Sequence, residues 1–419
     1  MNAVKARFVS LLRWSEQYTK TDMVYLASGG SWILFGYMVQ IVSGLGLAIA
    51  FANLLPKEVF GTYQFILSGA AIVSVFTLTG MGGAIARAAA NGSEGSLRYG
   101  FRTQIIWSSG IVLAAAIGSL YYHINGNALL GNGFLIVGAL QPFITGFSLY
   151  KSFLQGKQLF RESVILETTQ RLVSFIVLLA ALFTTNDPLV LVSVYLLSNA
   201  ASLSLTYLFV VRKYAAPLSA DPALKNYGKH LSVMESFAEV ANVIDKVLVW
   251  VFLGAAPLAA YVIAQLPVMH LQNLFGFMRI LMFPKLAQKD FSEIIQILPE
   301  KIRLYSLMAL LVVGAYVLAA PFLFGLLFPA YPESALYSQI LALSVLAIPR
   351  TLIGQAFLAH QKKRELYIMN ISTPMVRVAL LALFLWIWGI WGAIAAILIT
   401  ELYAALLQWH LFRTVRAIS

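Results

Sequence analysis

Apolar runs of about 20 residues, each bounded by charged and turn residues, recur along this chain. They fall at about 28–52, 63–86, 102–123, 132–155, 163–184, 189–210, 231–254, 258–283, 303–327, 335–359, 366–388 and 390–411. A run of that length crosses the hydrocarbon core of a bilayer, about 30 Å thick, as one α-helix. Lipid offers no hydrogen bonds, so each spanning segment must satisfy its own backbone, which a helix does internally. The 419 residues are 60% hydrophobic and only 11% charged, so little remains to build a soluble domain. The 14 prolines and 29 glycines would disrupt soluble helices but are ordinary in membrane-spanning ones. There is no cysteine, which excludes disulfides, thiol nucleophiles and cysteine metal sites. The reading is an all-α polytopic membrane protein of about 12 transmembrane helices.

A net charge of +12 would point to nucleic acid in a soluble protein. Here the positive charges follow topology. Of the 29 Lys and Arg residues, 23 fall in alternate connections, among them Lys5, Arg7, Arg98, Lys151, Lys157, Arg212, Lys213, Lys301, Lys362, Lys363 and Arg413. The intervening connections hold one, Lys57. By the positive-inside rule this predicts an even number of spans with both termini cytoplasmic. The opposite-side connections are short turns such as Thr184 to Pro188 and Pro329 to Glu333, which leave no room for an external domain. Residues 3–14 and 285–298 each place apolar side chains on one helical face, the pattern of helices lying in the membrane interface.

The connection at 212–229, with Pro217 and Pro222, divides the runs six and six. The expected organisation is an interfacial segment at 1–27, a six-helix lobe at 28–211, a cytoplasmic linker at 212–229 and a second six-helix lobe at 230–419. NLLPKEVFGTY ending at Tyr63 aligns with FLGAAPLAAY ending at Tyr261 at an offset of 198, and FLQGK from Phe153 aligns with FLAHQK from Phe357 at an offset of 204. Two nearly equal offsets predict parallel repeats with a substrate site between the halves.

With the charges assigned to connections set aside, ten acidic and basic residues remain inside the runs: Glu167, Arg171, Glu235, Glu239, Asp245, Lys246, Arg279, Arg350, Arg377 and Glu401. A charge at a helix centre costs about 2.5–3.5 kcal/mol on insertion, so these residues must face the protein interior, a wet cavity or one another. Glu235, Glu239, Asn242 and Lys246 make one stripe at i, i+4, i+7 and i+11; Asp245 points roughly 100° away. Gln265, Gln272 and Arg279, spaced by seven, make another stripe on the next helix, which Pro267 can bend. Pro349 with Arg350 and Pro374 with Arg377 place cations near bends. Simpler roles compete: a local Glu167–Arg171 pair at i,i+4, an Arg377–Glu401 pair at similar depth, and an Arg279 that snorkels to the surface. Lys246 and Arg350 lie too deep to snorkel easily. The five histidines have no metal-ligand spacing, and no GxxxxGK[ST], HExxH or GxSxG motif occurs. The acids outside the membrane, Glu58, Asp187 and Glu333, are scattered over three turns, which argues against an enzyme. A polar, cation-bearing interior in two halves fits moving a solute across the membrane.

NLLPKEVFGTY, VIDKVLVWVFLGAAPLAAY from Val243, PFLFGLLFPAYPES from Pro321, FLAHQKK from Phe357 and WGIWGAIAAILITE from Trp388 together resemble the Wzx-type polysaccharide or O-antigen flippases. These belong to the multidrug/oligosaccharidyl-lipid/polysaccharide exporter superfamily. The chain departs from the usual motifs at Ala259 and His360, where glycine is common. The resemblance implies a bacterial inner-membrane protein that turns an undecaprenyl-diphosphate-linked oligosaccharide across the bilayer by alternating access, for surface polysaccharide assembly. Its two lobes would enclose a cavity lined by the first, second, seventh and eighth helices. Lys246, Arg279, Arg350, Arg377 and Arg171 become candidate ligands for diphosphate or anionic sugar. Gln40, Gln64, Asn242, Gln265 and Gln272 become candidate polar lining, and Glu235, Glu239, Asp245 and Glu401 candidates for ion coupling. The implied partners are the lipid-linked oligosaccharide, membrane lipids and other glycan assembly proteins such as a polymerase and a chain-length regulator, with no nucleic acid. No cofactor is expected; a proton or sodium gradient is the candidate energy source. The competing function is a cation-coupled multidrug or small-molecule exporter of the same superfamily, motivated by the acidic residues.

Overall fold

The computed structural model describes residues 23–215, 221, 223–287 and 291–418, and among them all regular structure is helical. Fifteen α-helices follow one another: α1 (Met23–Leu54), α2 (Lys57–Val73), α3 (Met81–Ala90), α4 (Ser96–Trp107), α5 (Ser109–Ile124), α6 (Ala128–Phe147), α7 (Leu149–Gly156) and α8 (Phe160–Leu182), then α9 (Pro188–Tyr214), α10 (Leu224–Leu253), α11 (Ala255–Ala287), α12 (Phe291–Leu327), α13 (Pro332–Ala342), α14 (Thr351–Ala359) and α15 (Lys363–Ile418). Ser74–Phe76 and Leu343–Arg350 are tighter 3₁₀ turns.

Ten stretches among the described residues are long and apolar enough to cross a membrane. The expected runs and these ten differ at two places, each for a physical reason. The 30-residue α10 is not among the ten, because Glu239, Asp245 and Lys246 interrupt its apolar length. The last two expected runs are one 53-residue stretch, Lys363–Val415. Within it Gly389 adopts φ 57° and ψ −134°, outside helical geometry, and divides α15 into two arms. A side chain at Gly392 would lie 1.9 Å from the Phe384 carbonyl oxygen, so the arms turn back on each other only over glycine. Other expected runs are also broken: 63–86 after Val73, 132–155 at Ser148, and 335–359 by a 3₁₀ segment carrying Pro349. Proline removes a ladder donor and clashes with the preceding turn, so a spanning helix bends there.

The outward faces are apolar. On α12, Leu310, Leu311, Leu318 and Phe322 are exposed, Leu318 to 84%. A continuous apolar face of that kind is tolerable in lipid and not in water. The expected interfacial segment at 3–14 lies outside the described residues. Of the one at 285–298, residues from Phe291 form the start of α12, where Ile294, Ile295 and Leu298 are buried.

By packing, the described residues fall into two compact units. The first takes those of Met1–Leu47, Phe76–Thr184 and Ser193–Met234, and the second those of Ala48–Val75, Thr185–Val192 and Glu235–Ser419. The first unit has a core of Met81, Ile85, Leu97, Tyr150, Phe153, Leu154 and Tyr207. In the second, α2 and α11 come so close that a Cβ at Gly61 would sit 1.9 Å from the Ala255 carbonyl oxygen. The Phe65 ring stacks on Trp250 at 4.5 Å nearby. At one end of this unit Lys57 pairs with Glu333 at 2.6 Å and lies over the Tyr331 ring. Burial, with the Glu333 and Glu58 carboxylates close by, pushes the Tyr331 phenol well above its usual range, so it stays neutral beside Lys57.

Candidate functional site: two ionic clusters

Each unit holds its own ionic cluster. In the second unit the centre is Asp245 on α10, only 1% exposed. Its Oδ1 accepts the Lys246 backbone N–H at 2.9 Å, and its Oδ2 accepts the Tyr261 hydroxyl at 2.9 Å and the Gln265 amide at 2.8 Å. The Arg377 guanidinium on α15 reaches it at 3.6 Å, close enough to balance the charge and too far for a hydrogen bond. Arg377 is 23% exposed, its Nε is buried without a partner, and its N–H groups form no hydrogen bond among the described residues. Buried guanidinium donors are ordinarily paired, so an Arg held by charge alone stands ready for an oxyanion.

The second ion pair of this unit is shorter. Arg350 pairs with Glu401 at 2.6 Å and donates to the Ala347 carbonyl at 2.9 Å. Glu401 therefore joins Arg350 and not Arg377, because Arg377 turns toward Asp245. The Arg350 Nε, like that of Arg377, is buried without a partner among the described residues, and its short contact with Glu401 joins two helices of the unit. On α10, Glu235, Glu239 and Asn242 are exposed and Lys246 is half-buried, so the polar stripe faces open volume. Among the described residues no carboxylate pairs with the Lys246 ammonium. Gln272 is tied to the Ser344 hydroxyl at 3.1 Å, which joins α11 to the 3₁₀ turn. Gln64, on α2, is half-buried, and the side chain of Arg279 lies outside the described residues.

In the first unit Arg171 and Glu167 pair at i,i+4, at 3.3 Å, as the spacing allows. Lys151 on α7 joins them, unannounced by any spacing, at 3.1 Å from the same Glu167 oxygen. Its position in a basic connection read as topology. These three line a cavity of about 260 Å³ with Ser43 and Gly44 of α1, Gln170 and Ser174 of α8, and Asn199 of α9. Gln40 is half-buried on α1, one turn from Ser43, whose hydroxyl bonds the Val39 carbonyl at 2.7 Å. Tyr261 and Gln265 acquire partners that their positions announced only in part. Gln265 lay on a visible stripe, whereas Tyr261 stood out as a repeat marker and not as a donor to Asp245.

Long apolar helices carrying partly buried ion pairs define a multi-pass membrane protein, and its likeness to solved structures gives the fold. A multidrug resistance MATE family transporter in an inward-facing conformation superposes with a TM-score of 0.69, at 14% identity over 90% of this chain and 95% of that one. The lipid II flippase MurJ in an inward closed conformation gives 0.70, at 14% identity over 91% and 86%. A transporter from Pyrococcus furiosus, described by a binding pocket of reversed polarity suggesting a different function, gives 0.63 at 15% identity over 94% and 95%. The fold is therefore that of the multidrug/oligosaccharidyl-lipid/polysaccharide exporter superfamily. No curated protein matches the sequence. Residues 26–289 match the family described as "Polysaccharide biosynthesis protein", and the chain belongs to that family.

Proposed function

We propose that this protein flips an undecaprenyl-diphosphate-linked oligosaccharide across the bacterial inner membrane by alternating access. In this reading both termini are cytoplasmic, and two six-helix lobes, 28–211 and 230–419, move about the linker at 212–229. The observation that carries the reading is the pair Lys246 and Arg377: two half-buried cations of the second unit whose donors are not taken up by a carboxylate hydrogen bond. A diphosphate leaving water for a low-dielectric interior needs fixed positive charge, since an unpaired buried ion costs several kcal/mol. Arg377 offers a planar fork that binds phosphate oxygens in pairs, and Lys246 adds a point charge. Asp245, saturated by Tyr261, Gln265 and the Lys246 N–H, holds Arg377 in place without occupying its donors. That saturation makes Asp245 a positioning group, leaving Glu235 and Glu239, exposed on α10, for coupling to a proton or sodium gradient. Membership of a polysaccharide biosynthesis family supports a saccharide cargo.

Purified protein in liposomes should expose a fluorescent lipid-linked oligosaccharide to an external quencher faster than protein-free liposomes do; equal rates overturn the reading. The exposed Glu235 and Glu239 favour the second reading, a cation-coupled drug exporter. Drug resistance conferred on a sensitive host, with no glycan phenotype, would decide for it.

A further inference from the structure

An open groove runs along the first unit between α5 and α6. Its floor is made of small residues: Ala115 and Gly138 are buried, and a Cβ on Gly138 would stand 3.0 Å from that of Ala115. Its walls are apolar and about half exposed, with Val112 on one side and Leu135 and Phe143 on the other. The groove holds about 510 Å³, inside the range of about 300–1,000 Å³ in which proteins bind ligands. At one end the chemistry changes. Arg98, Arg102, Ile105, Ser109, Val112 and Ala116 recur at i, i+4, i+7, i+11, i+14 and i+18 along the single span that α4 and α5 make, so they share one face of it. The last four line the groove, and the two arginines continue the stripe past its end, Arg102 one turn from Ile105. Both arginines are exposed, and among the described residues neither pairs with a carboxylate. Other cations nearby are engaged: Lys157 pairs with Glu94, and Arg87 and Lys229 lie over the rings of Tyr227 and Trp107.

We propose that this face binds one anionic glycerophospholipid of the bilayer, its phosphate on Arg98 and Arg102 and one acyl chain along the groove. The groove opens sideways onto exposed apolar surface, Ile106, Leu113 and Ile117, so a lipid enters it from the membrane without crossing water. Its cationic end lies at a basic connection, where the positive-inside rule places the anionic leaflet. Two guanidinium forks one turn apart match the oxygens of a phosphate, and their stems can lie along the apolar surface while the heads reach the headgroup layer. Charge complementarity sets the headgroup: choline brings its own cation against two arginines, whereas glycerol brings none. The close floor of Ala115 and Gly138 suits an unbranched chain better than an isoprenoid with repeated methyl branches. The site uses neither Lys246 nor Arg377 and holds whatever the cargo is.

The test is native mass spectrometry of the full chain in detergent micelles, titrated with phosphatidylglycerol and with phosphatidylcholine of the same acyl chains. Phosphatidylglycerol should bind tighter by at least about fivefold, the factor that one basic residue contributes beside an anionic lipid. Equal binding of the two overturns the proposal, and this comparison needs no variant. Arg98→Gln and Arg102→Gln change exposed side chains and should each lower phosphatidylglycerol affinity severalfold while leaving phosphatidylcholine nearly unchanged; no loss in either variant overturns the headgroup assignment. Ala116→Phe projects a ring from an exposed position into the groove and should weaken both lipids, and unchanged binding overturns the groove assignment. Undecaprenyl phosphate is the rival occupant. If it displaces phosphatidylglycerol from the wild-type protein at equal concentration, the groove takes an isoprenoid chain and the proposal fails. Wild-type protein that selects phosphatidylglycerol but flips nothing would refute the flippase reading and leave this one standing.

Discussion

The two ionic clusters solve the same problem in opposite ways. In the first unit one carboxylate, Glu167, serves two cations, and each charged side chain is about a third exposed. In the second, Asp245 is almost wholly buried, takes three neutral donors and faces one guanidinium at 3.6 Å. The two arrangements make a cation available in different ways. A shared, partly wet carboxylate leaves a diffuse positive cavity, whereas a saturated, buried one holds a single Arg by charge and leaves its hydrogen bonds open.

The two clusters differ most at Arg377. Arg377→Gln leaves Asp245 as an uncompensated buried charge and should cost about 3–5 kcal/mol of stability, read as a large fall in the thermal midpoint of the purified protein. Adding Asp245→Asn removes the stranded charge and should restore most of that stability while flipping stays lost. Full recovery of flipping in the double variant would show that Arg377 is structural. A smaller effect separates packing from charge: Gly61→Ala drives a methyl group into the Ala255 backbone and should destabilise by about 1–3 kcal/mol. Gly44→Ala and Gly314→Ala, where nothing lies within 4 Å, should be neutral or mildly stabilising by the same assay. The smallest effect belongs to the first unit. Arg171→Gln leaves Glu167 still paired with Lys151, and exposure screens the lost contact, so stability should fall by less than about 1 kcal/mol, read as a small shift of the thermal midpoint.

Much of this fold was legible because lipid enforces it. Uniform apolar runs and alternating Lys and Arg connections carry the helical, multi-pass character directly, and the charges on α10 marked it as unlike its neighbours. The breaks were less legible. Pro349 and Pro374 signal bends, but the division at Gly389 depends on a backbone conformation with φ 57° that a sequence of apolar residues does not announce. Helix ends repeat across the halves more faithfully than the letters suggest. Gln158 and Gln361 both take left-handed φ, 59° and 52°, and both are followed by an N–H reaching back five residues, Leu159 to Leu154 and Lys362 to Phe357. That equivalence has an offset of 203, where the motif alignment reads 204.

The site was half visible. Every charge of the second-unit cluster stood out, because an ionisable residue in an apolar run is conspicuous. Its partners did not. Arg377 pairs with Asp245 and Arg350 with Glu401, and the choice between two acids at similar depth rests on helix rotation, which periodicity over a kinked helix cannot fix. Lys151 was hidden by its membership of a basic connection, and its pairing with Glu167 emerges only from packing.

In the proposed function Lys246 and Arg377 hold the phosphates of a lipid-linked oligosaccharide. Lys246 gives the cleaner test, since no carboxylate among the described residues depends on it. The measurement is the initial flipping rate of a fluorescent lipid-linked oligosaccharide by Lys246→Gln in liposomes, beside wild-type protein of equal thermal midpoint. Loss of one charge-assisted contact, about 1.5–3 kcal/mol, predicts a rate lower by about tenfold to a hundredfold. A rate equal to wild type would show that Lys246 does not hold the phosphates.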